Sequence, residues 1–98
     1  MHFITIYTYE PARRNEIVKR RKERGPVVPA GTKVVGEWSY TAGGRGFILF
    51  EAQDAKVMEA PTLAWSDLIK LETLPVTEPE EVMRLAKTPV SLGVEMKL

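Results

Sequence analysis

The chain has 98 residues, 44% of them apolar and 28% charged, and its net charge at neutral pH is +1. A chain of this length makes one domain, and the balanced charge gives no global attraction to nucleic acid or to a membrane surface. The lack of cysteine excludes disulfides, thiolate catalysis and zinc–thiolate sites, and the single histidine, His2, excludes a multi-histidine metal site within one chain. We therefore expect neither a metal nor a cofactor.

The first third of the chain predicts a strand, a helix and a loop. Residues 2–9 are rich in β-branched and aromatic side chains, which favours a strand. Pro11 suits the first turn of a helix, and the good helix formers of residues 11–24 end at Gly25-Pro26. Prolines and glycines mark the segment that follows as a loop.

The middle of the chain predicts a hairpin, a short helix and a fourth strand. Residues 33–41 and 46–52 are predicted strands, joined by the glycine-rich turn between them. Asp54 suits the N-cap of the next helix. Because Pro61 disfavours helix at Ala60, we expect a short helix to about Ala60, followed by a break or by a second turn to about Trp65. The last strand is predicted at 67–76.

This order of elements predicts the α+β class. Residues 1–76 should form a βαββαβ ferredoxin-like sandwich, in which two helices lie on one face of a four-stranded antiparallel sheet. Residues 77–98 form a C-terminal appendage that begins with a predicted helix to about Lys87, since Thr77 and Glu80 have the spacing of a capping box. Residues 90–98 alternate in polarity like a strand. We expect that strand to pair with a sheet edge of the same or a second copy, because an uncovered edge invites aggregation.

The alternation of apolar side chains predicts a homodimer. Phe3 and Tyr7 point to one face of the first strand, and Ile4 and Ile6 point to the other. Helices on one side leave the second apolar face open, and a second copy of the sheet would cover it. The alternative is an open face that stacks on nucleic-acid bases.

Several short motifs together resemble a family of uncharacterised small proteins. They are Pro29-Ala30-Gly31, Gly36-Glu37-Trp38, Gly43-Gly44-Arg45, Phe47, Glu51-Ala52, Trp65-Ser66-Asp67-Leu68 and Pro75-Val76. The resemblance covers about residues 1–76 and implies membership of the dimeric α/β-barrel superfamily, which includes cofactor-free monooxygenases, muconolactone-isomerase-like enzymes and effector domains of regulators. It implies a small-molecule pocket between sheet and helices, but it brings no catalytic residues, and a shared fold does not define a reaction.

The predicted first helix is strongly basic, since seven of the fourteen Lys and Arg residues lie between positions 13 and 24. Arg14 and Arg21 share a face with Ile17 and Val18, and that face must meet the sheet. Either their stems pack while the guanidinium groups reach water, or a guanidinium turns inward and binds an anionic ligand. A further alternative is nucleic-acid binding through the basic helix 11–24, with a steep salt dependence.

Aromatic residues with polar tips are the other candidate ligand contacts, although each could equally belong to the core or to an interface. The predicted ligand-binding residues are Tyr7, Arg14, Arg21, Trp38, Tyr40 and Trp65. No catalytic residue emerges, because Ser66-Asp67 is typical of a turn and a lone histidine is usually structural or solvated. The segment 42–46 lacks the Walker lysine pattern and predicts a hairpin turn. Residues 45–47 begin like the first ribonucleoprotein motif, but the following residues depart from it.

The start of the chain has a strand pattern without the basic region of a signal peptide, and no apolar run approaches the roughly 20 residues needed to span a bilayer. We therefore expect a cytoplasmic protein without a membrane partner. The sequence predicts a homodimer that binds a small aromatic or anionic organic compound, either as a cofactor-free enzyme or as a non-catalytic sensing module.

Overall fold

The computed structural model describes residues 1–29 and 32–86. Single turns of 3₁₀ helix at Pro11–Arg13 and Ala55–Met58 lead into the first two α-helices. The predicted C-terminal strand, residues 90–98, lies outside the described residues. The described elements are β1 (His2–Thr8), α1 (Arg14–Arg24), β2 (Lys33–Ser39), β3 (Arg45–Glu51), α2 (Glu59–Trp65), β4 (Lys70–Val76) and α3 (Pro79–Ala86).

The four strands form one antiparallel sheet in the order β2-β3-β1-β4, which confirms the predicted α+β class. β1 and β3 are the central strands, with Phe3 opposite Phe50 and Tyr7 opposite Gly46. The pairing of β2 with β3 shifts by one residue between Val34 and Gly36. This irregularity is a β-bulge, which lets the edge strand bend.

The core lies on one face of the sheet, as the alternation of β1 and β3 predicts. Along β1, Phe3, Thr5 and Tyr7 are buried, whereas the residues between them are only half-buried. Two loop residues before β2, Val27 and Val28, close this core together with α2 and the turn after it. The buried apolar residues are Phe3, Tyr7, Val27, Val28, Ile48, Phe50, Met58, Trp65, Leu68 and Ile69.

The basic helix α1 contributes little apolar packing, since none of its residues is buried. Ile17 is half-buried and packs against the core, whereas Val18 is 43% exposed. We expected the face of this helix that carries Ile17 and Val18 to meet the sheet, and of these two residues only Ile17 packs against the core. Other contacts must hold α1 in place, and they are described below.

The structure favours the second of the two alternatives for α2, a turn that ends at Trp65, and it corrects the start of the fourth strand. Pro61 does not break the helix but lies in the first turn of α2, where a missing N–H costs no intrahelical hydrogen bond. The fourth strand begins at Lys70 rather than at residue 67, because Leu68 and Ile69 still donate to the Trp65 carbonyl at 3.0 and 2.9 Å. The chain thus makes one more turn before β4.

The appendage begins with α3, an eight-residue helix that starts at Pro79. The backbone N–H of Val82 donates to the Glu78 carbonyl at 3.2 Å, so the cap position falls one residue after the predicted Thr77. Val82, Met83 and Leu85 are exposed on this helix. None of the described helices is long and apolar enough to cross a membrane.

Candidate functional site

Arginines fasten α1 to the turn between α2 and β4. Arg20 donates two parallel hydrogen bonds to the carboxylate of Asp67, at 2.5 and 2.6 Å, and its guanidinium lies 5.4 Å from the centroid of the Trp65 ring. Arg13 donates to the Asp67 carbonyl at 2.8 Å and to Glu16 at 3.0 Å. The Arg20 guanidinium lowers the pKa of Asp67 from 3.8 to about 2. Asp67 is therefore an ionised anchor at neutral pH, not an acid or base.

A third arginine fastens α1 to the edge strand β2. Arg21 makes a bidentate pair with Glu37, in which one of the two hydrogen bonds measures 2.8 Å. Glu37 lies opposite Ile48 in the sheet, hence on the face that carries the core. Because both carboxylate oxygens of Glu37 accept from this guanidinium, Arg21 already has an anionic partner inside the protein.

Tyr7 lies beside this pair and is fixed by a glycine. A Cβ atom at Gly46 would lie 1.9 Å from Cζ of Tyr7, so the ring occupies the space that a side chain would take. Burial raises the pKa of the Tyr7 hydroxyl, and the neighbouring Ser39 side chain partly offsets that rise. Tyr9 follows on the same side, with its ring centroid 6.4 Å from that of Tyr7.

A groove of about 570 Å³ opens between the start of α1 and the turn that precedes β4. We call it the Tyr9 groove. Tyr9 lines it together with three apolar residues, Leu68, Ile69 and Leu71, of which the first two belong to the core. Three hydroxyl side chains also line it, those of Thr8, Thr62 and Ser66.

The charged residues of the Tyr9 groove balance one another. They are Glu10, Arg13, Asp67 and Lys70. Arg13 is engaged with Glu16 and Asp67, and Asp67 is engaged with Arg20. The groove thus offers an aromatic ring, apolar side chains and neutral hydroxyls rather than a concentrated charge. Among the described residues, no group of three or more His, Asp or Glu residues is placed to hold a metal ion.

The six predicted ligand-binding residues lie in different places. Tyr7 and Arg21 approach each other on the core face, and Trp65 is buried in the core beneath Arg20. Trp38 lies opposite Phe47 on the other face of the sheet and is 56% exposed. The other two, Arg14 on α1 and Tyr40 after β2, are exposed. Only Tyr7 and Arg21 are brought together.

The sequence analysis missed the residues that line the Tyr9 groove. Tyr9 was assigned to the first strand, but it follows the end of β1, and its N–H donates to the Gly44 carbonyl at 3.0 Å. A signal was present, because Tyr9 precedes Glu10-Pro11 at a strand–helix junction, and loops at such junctions often carry binding residues. The pairing of Arg20 with Asp67 spans 47 positions and had no local signal.

None of the helices within residues 1–29 and 32–86 covers the second face of the sheet, and the middle of this face is apolar. We call it the helix-free face. Its two central rows across the sheet run Gly36–Leu49–Ile4–Leu74 and Trp38–Phe47–Ile6–Glu72. Ile4, Ile6, Phe47 and Leu49 are half-buried, and Leu74 is 40% exposed. Toward one end, Glu51 pairs with Lys33 at 3.2 Å and with His2 at 3.1 Å.

The fold and these two surfaces define a small α+β protein with a four-stranded antiparallel sheet. One face of the sheet carries the core, and the other is an apolar face that no helix of the described part of the chain covers. The chain belongs to the family described as Domain of unknown function (DUF3303), whose sequence profile matches residues 1–90. Neither the curated proteins nor the solved structures include a match to it.

Proposed function

We propose that this chain is a small-molecule-binding domain that works as a homodimer, with the ferredoxin-like sandwich of the dimeric α/β-barrel superfamily. The strand order β2-β3-β1-β4 and the sequence of helices between the strands support that architecture. The observation that carries the function is the Tyr9 groove. Its volume of about 570 Å³ lies within the range of roughly 300–1,000 Å³ typical of ligand pockets.

The groove favours a small aromatic compound over a small anion. The ring of Tyr9 offers a stacking surface, and Leu71 beside it is only half-buried. The hydroxyls of Thr62 and Ser66 could fix the orientation of a bound polar group. Two cations line the groove, Arg13 and Lys70. An anion would have to compete with Glu16 for Arg13, which leaves it Lys70 and disfavours the anionic alternative.

Binding of simple aromatic probes tests this proposal. We would titrate the ¹⁵N-labelled protein with phenol, benzamide and benzoate and follow the backbone amide resonances. We expect benzamide and phenol to shift the resonances of Tyr9, Ser66 and Leu71, with benzoate no better than benzamide. A clear preference for benzoate would replace the aromatic ligand by an anionic one. No shift in this region with any probe would overturn the assignment of the groove.

Two variants at one position separate stacking from other contacts. Tyr9→Ala removes the ring and should abolish the benzamide shifts, whereas Tyr9→Phe keeps the ring and should retain them. Leu63→Ala changes a side chain of α2 that is 78% exposed and does not line the groove, so it serves as the matched control. Loss of binding in the Leu63 variant as well would indicate a general change in α2.

The same probes cannot distinguish an enzyme from a sensing module, but mass spectrometry of the bound compound together with its ¹H NMR spectrum can. A ligand captured by the protein and recovered with the same mass and the same spectrum after incubation supports a non-catalytic module. A ligand recovered with an altered mass, or with the same mass and an altered spectrum as an isomerase would give, supports a cofactor-free enzyme. The described residues of the groove include no histidine, so a general base would have to come from a carboxylate or from the ligand itself.

The homodimer is supported by the helix-free face. A continuous apolar surface at the centre of a sheet is unusual on a monomer and marks an interaction site, and its half-buried residues would gain from coverage. Phe47→Glu should abolish self-association in sedimentation velocity, because a carboxylate would lie without a partner in the interface. Val18→Glu, on the exposed side of α1, is the control and should leave the dimer intact.

A nucleic-acid interface on α1 is the less favoured alternative, because three arginines in or next to this helix already pair with carboxylates. Arg13, Arg20 and Arg21 bond to Glu16, Asp67 and Glu37 respectively. Binding to single-stranded RNA that weakens steeply with added salt would revive it.

A further inference from the structure

The two ends of the helix-free face carry different sets of charged residues. At the end where β1 begins, Glu51 lies between Lys33 and His2. At the other end, Arg45 and Lys70 flank Thr8 on the neighbouring strands. This second end holds two cations, and the nearest acidic residue of the face is Glu72, one row toward the centre.

Helix α3 adds negative charge to the first end. β4 ends at Val76, which pairs with His2, and α3 starts three residues later. Glu78 and Glu81 line a shallow groove together with Met1 and His2, so this part of the chain lies against the start of β1. With Glu80 in the same turn of α3, the first end carries four carboxylates. Three cations stand against them, namely Lys33, Arg84 and the amino group of Met1, so this end keeps an excess of one negative charge.

We propose that the two copies of the homodimer stack with opposite ends together, so that the acidic end of one copy lies on the basic end of the other. This inference rests on the proposed dimer through the helix-free face and adds its orientation. In a two-fold dimer every such contact occurs twice, so Arg45 and Lys70 of each copy face the Glu51 and Glu78 end of the other. The reverse stacking would place the basic end of one copy against the basic end of the other, where the like charges repel one another.

The orientation also gives α3 a surface to contact. Val82, Met83 and Leu85 are 38%, 50% and 58% exposed, and α3 makes few contacts with its own sheet among the described residues. Because α3 extends from the acidic end, the opposite-end arrangement places it beside the basic end of the second copy. Its first turn, with Glu80 and Glu81, then meets cations rather than carboxylates.

Neutralising the basic end distinguishes the two orientations, because the dimer dissociation constant should rise in one and fall in the other. In the proposed arrangement, Arg45→Gln with Lys70→Gln removes attractions and should raise the dimer dissociation constant about tenfold at low salt. In the reverse arrangement the same variant removes repulsion and should lower that constant. Lys19→Gln with Lys22→Gln makes the same charge change on exposed positions of α1 and should change the constant less than about twofold.

Cysteine cross-linking gives an independent reading, because the chain contains no cysteine of its own. Arg45→Cys and Glu51→Cys chains, mixed and treated with a short bismaleimide, should form a mixed dimer in the proposed arrangement. Each variant alone should then cross-link poorly. Efficient cross-linking of each variant to itself would overturn the orientation while leaving the dimer. A wild-type chain that stays monomeric in sedimentation would overturn both.

Discussion

Arg20 and Asp67 face each other between α1 and the turn before β4, joined by two hydrogen bonds of 2.5 and 2.6 Å. The same guanidinium lies over the ring of Trp65, a buried residue of the core. Because α1 buries none of its own side chains, this contact and the pair between Arg21 and Glu37 attach the helix to the rest of the domain. Helix α1, which follows the groove residues Glu10 and Arg13 in the chain, is therefore held mainly by charge, and its attachment should depend on pH.

The first prediction concerns acid stability. Asp67 has a pKa of about 2 in the folded chain, against an ordinary value of 3.8. Its folded-state pKa is depressed, so the ionised carboxylate stabilises the fold above the unfolded value, and this contribution is lost as pH falls from about 5 through about 2. Asp67→Asn should lower the melting temperature at pH 7, and the gap from wild type should narrow steadily by pH 3.

Thermal unfolding between pH 7 and pH 3 checks this prediction. Glu59→Gln removes a carboxylate from an exposed position of α2 and controls for the loss of one negative charge. A gap between wild type and Asp67→Asn that stays constant over the whole range would show that the Arg20 pair does not contribute through ionisation.

Local patterns were enough to predict the strands, the hairpin and the cap at Asp54. The side chain of Asp54 accepts from the Lys56 N–H at 2.8 Å, as predicted for an N-cap. Alternation along β1 also identified which side chains share a face, because the period of a strand is fixed. These features depend on residues that are close in sequence.

The site could not be predicted in the same way, because it depends on strand pairing and on ion pairs between distant residues. Tyr7 lies opposite Gly46, whereas Trp38 lies opposite the next residue, Phe47. That difference of one position puts the two aromatic rings on opposite faces of the sheet. Arg20 and Arg21 have carboxylate partners, Asp67 and Glu37, that only the fold brings near.

The second prediction concerns the contact between Gly46 and Tyr7. Gly46 is buried, and its absent side chain makes room for the Tyr7 ring. Gly46→Ala should lower the free energy of unfolding by about 1–3 kcal/mol, because the ring has to leave its place in a packed core. Urea denaturation measures the change. The cost should fall in a Tyr7→Leu background, where the ring atoms are gone.

A matched glycine provides the control for that substitution. A Cβ atom at Gly36 would lie 2.5 Å from the Trp38 ring, but this ring is 56% exposed and can swing away. Gly36→Ala should therefore cost less than about 1 kcal/mol. Equal costs at the two glycines would show that the burial of the Tyr7 ring does not set the cost, because the exposed Trp38 ring would then be as hard to displace.

The third prediction concerns the one apolar contact of α1 with the core. Ile17 is half-buried against the core, and Ile17→Ala should lower the free energy of unfolding by about 1–2 kcal/mol, less than a fully buried isoleucine would. Val18→Ala, at an adjacent exposed position, should change it by no more than about 0.5 kcal/mol. If neither substitution matters in urea denaturation, the arginine pairs alone hold α1.

The last prediction concerns Thr5 and Thr73, whose hydroxyl oxygens lie 2.8 Å apart between β1 and β4. Thr5 is fully buried, at 0% exposure, so each hydroxyl satisfies the other inside an apolar core. Thr5→Val leaves the Thr73 hydroxyl without this partner and should cost about 1–3 kcal/mol. The double substitution to Val at both positions should cost less than the two single changes together, because no polar group is then left unpaired.

A double-mutant cycle in urea measures the coupling between the two positions. Strictly additive costs would show that water reaches the half-buried Thr73 and replaces its partner.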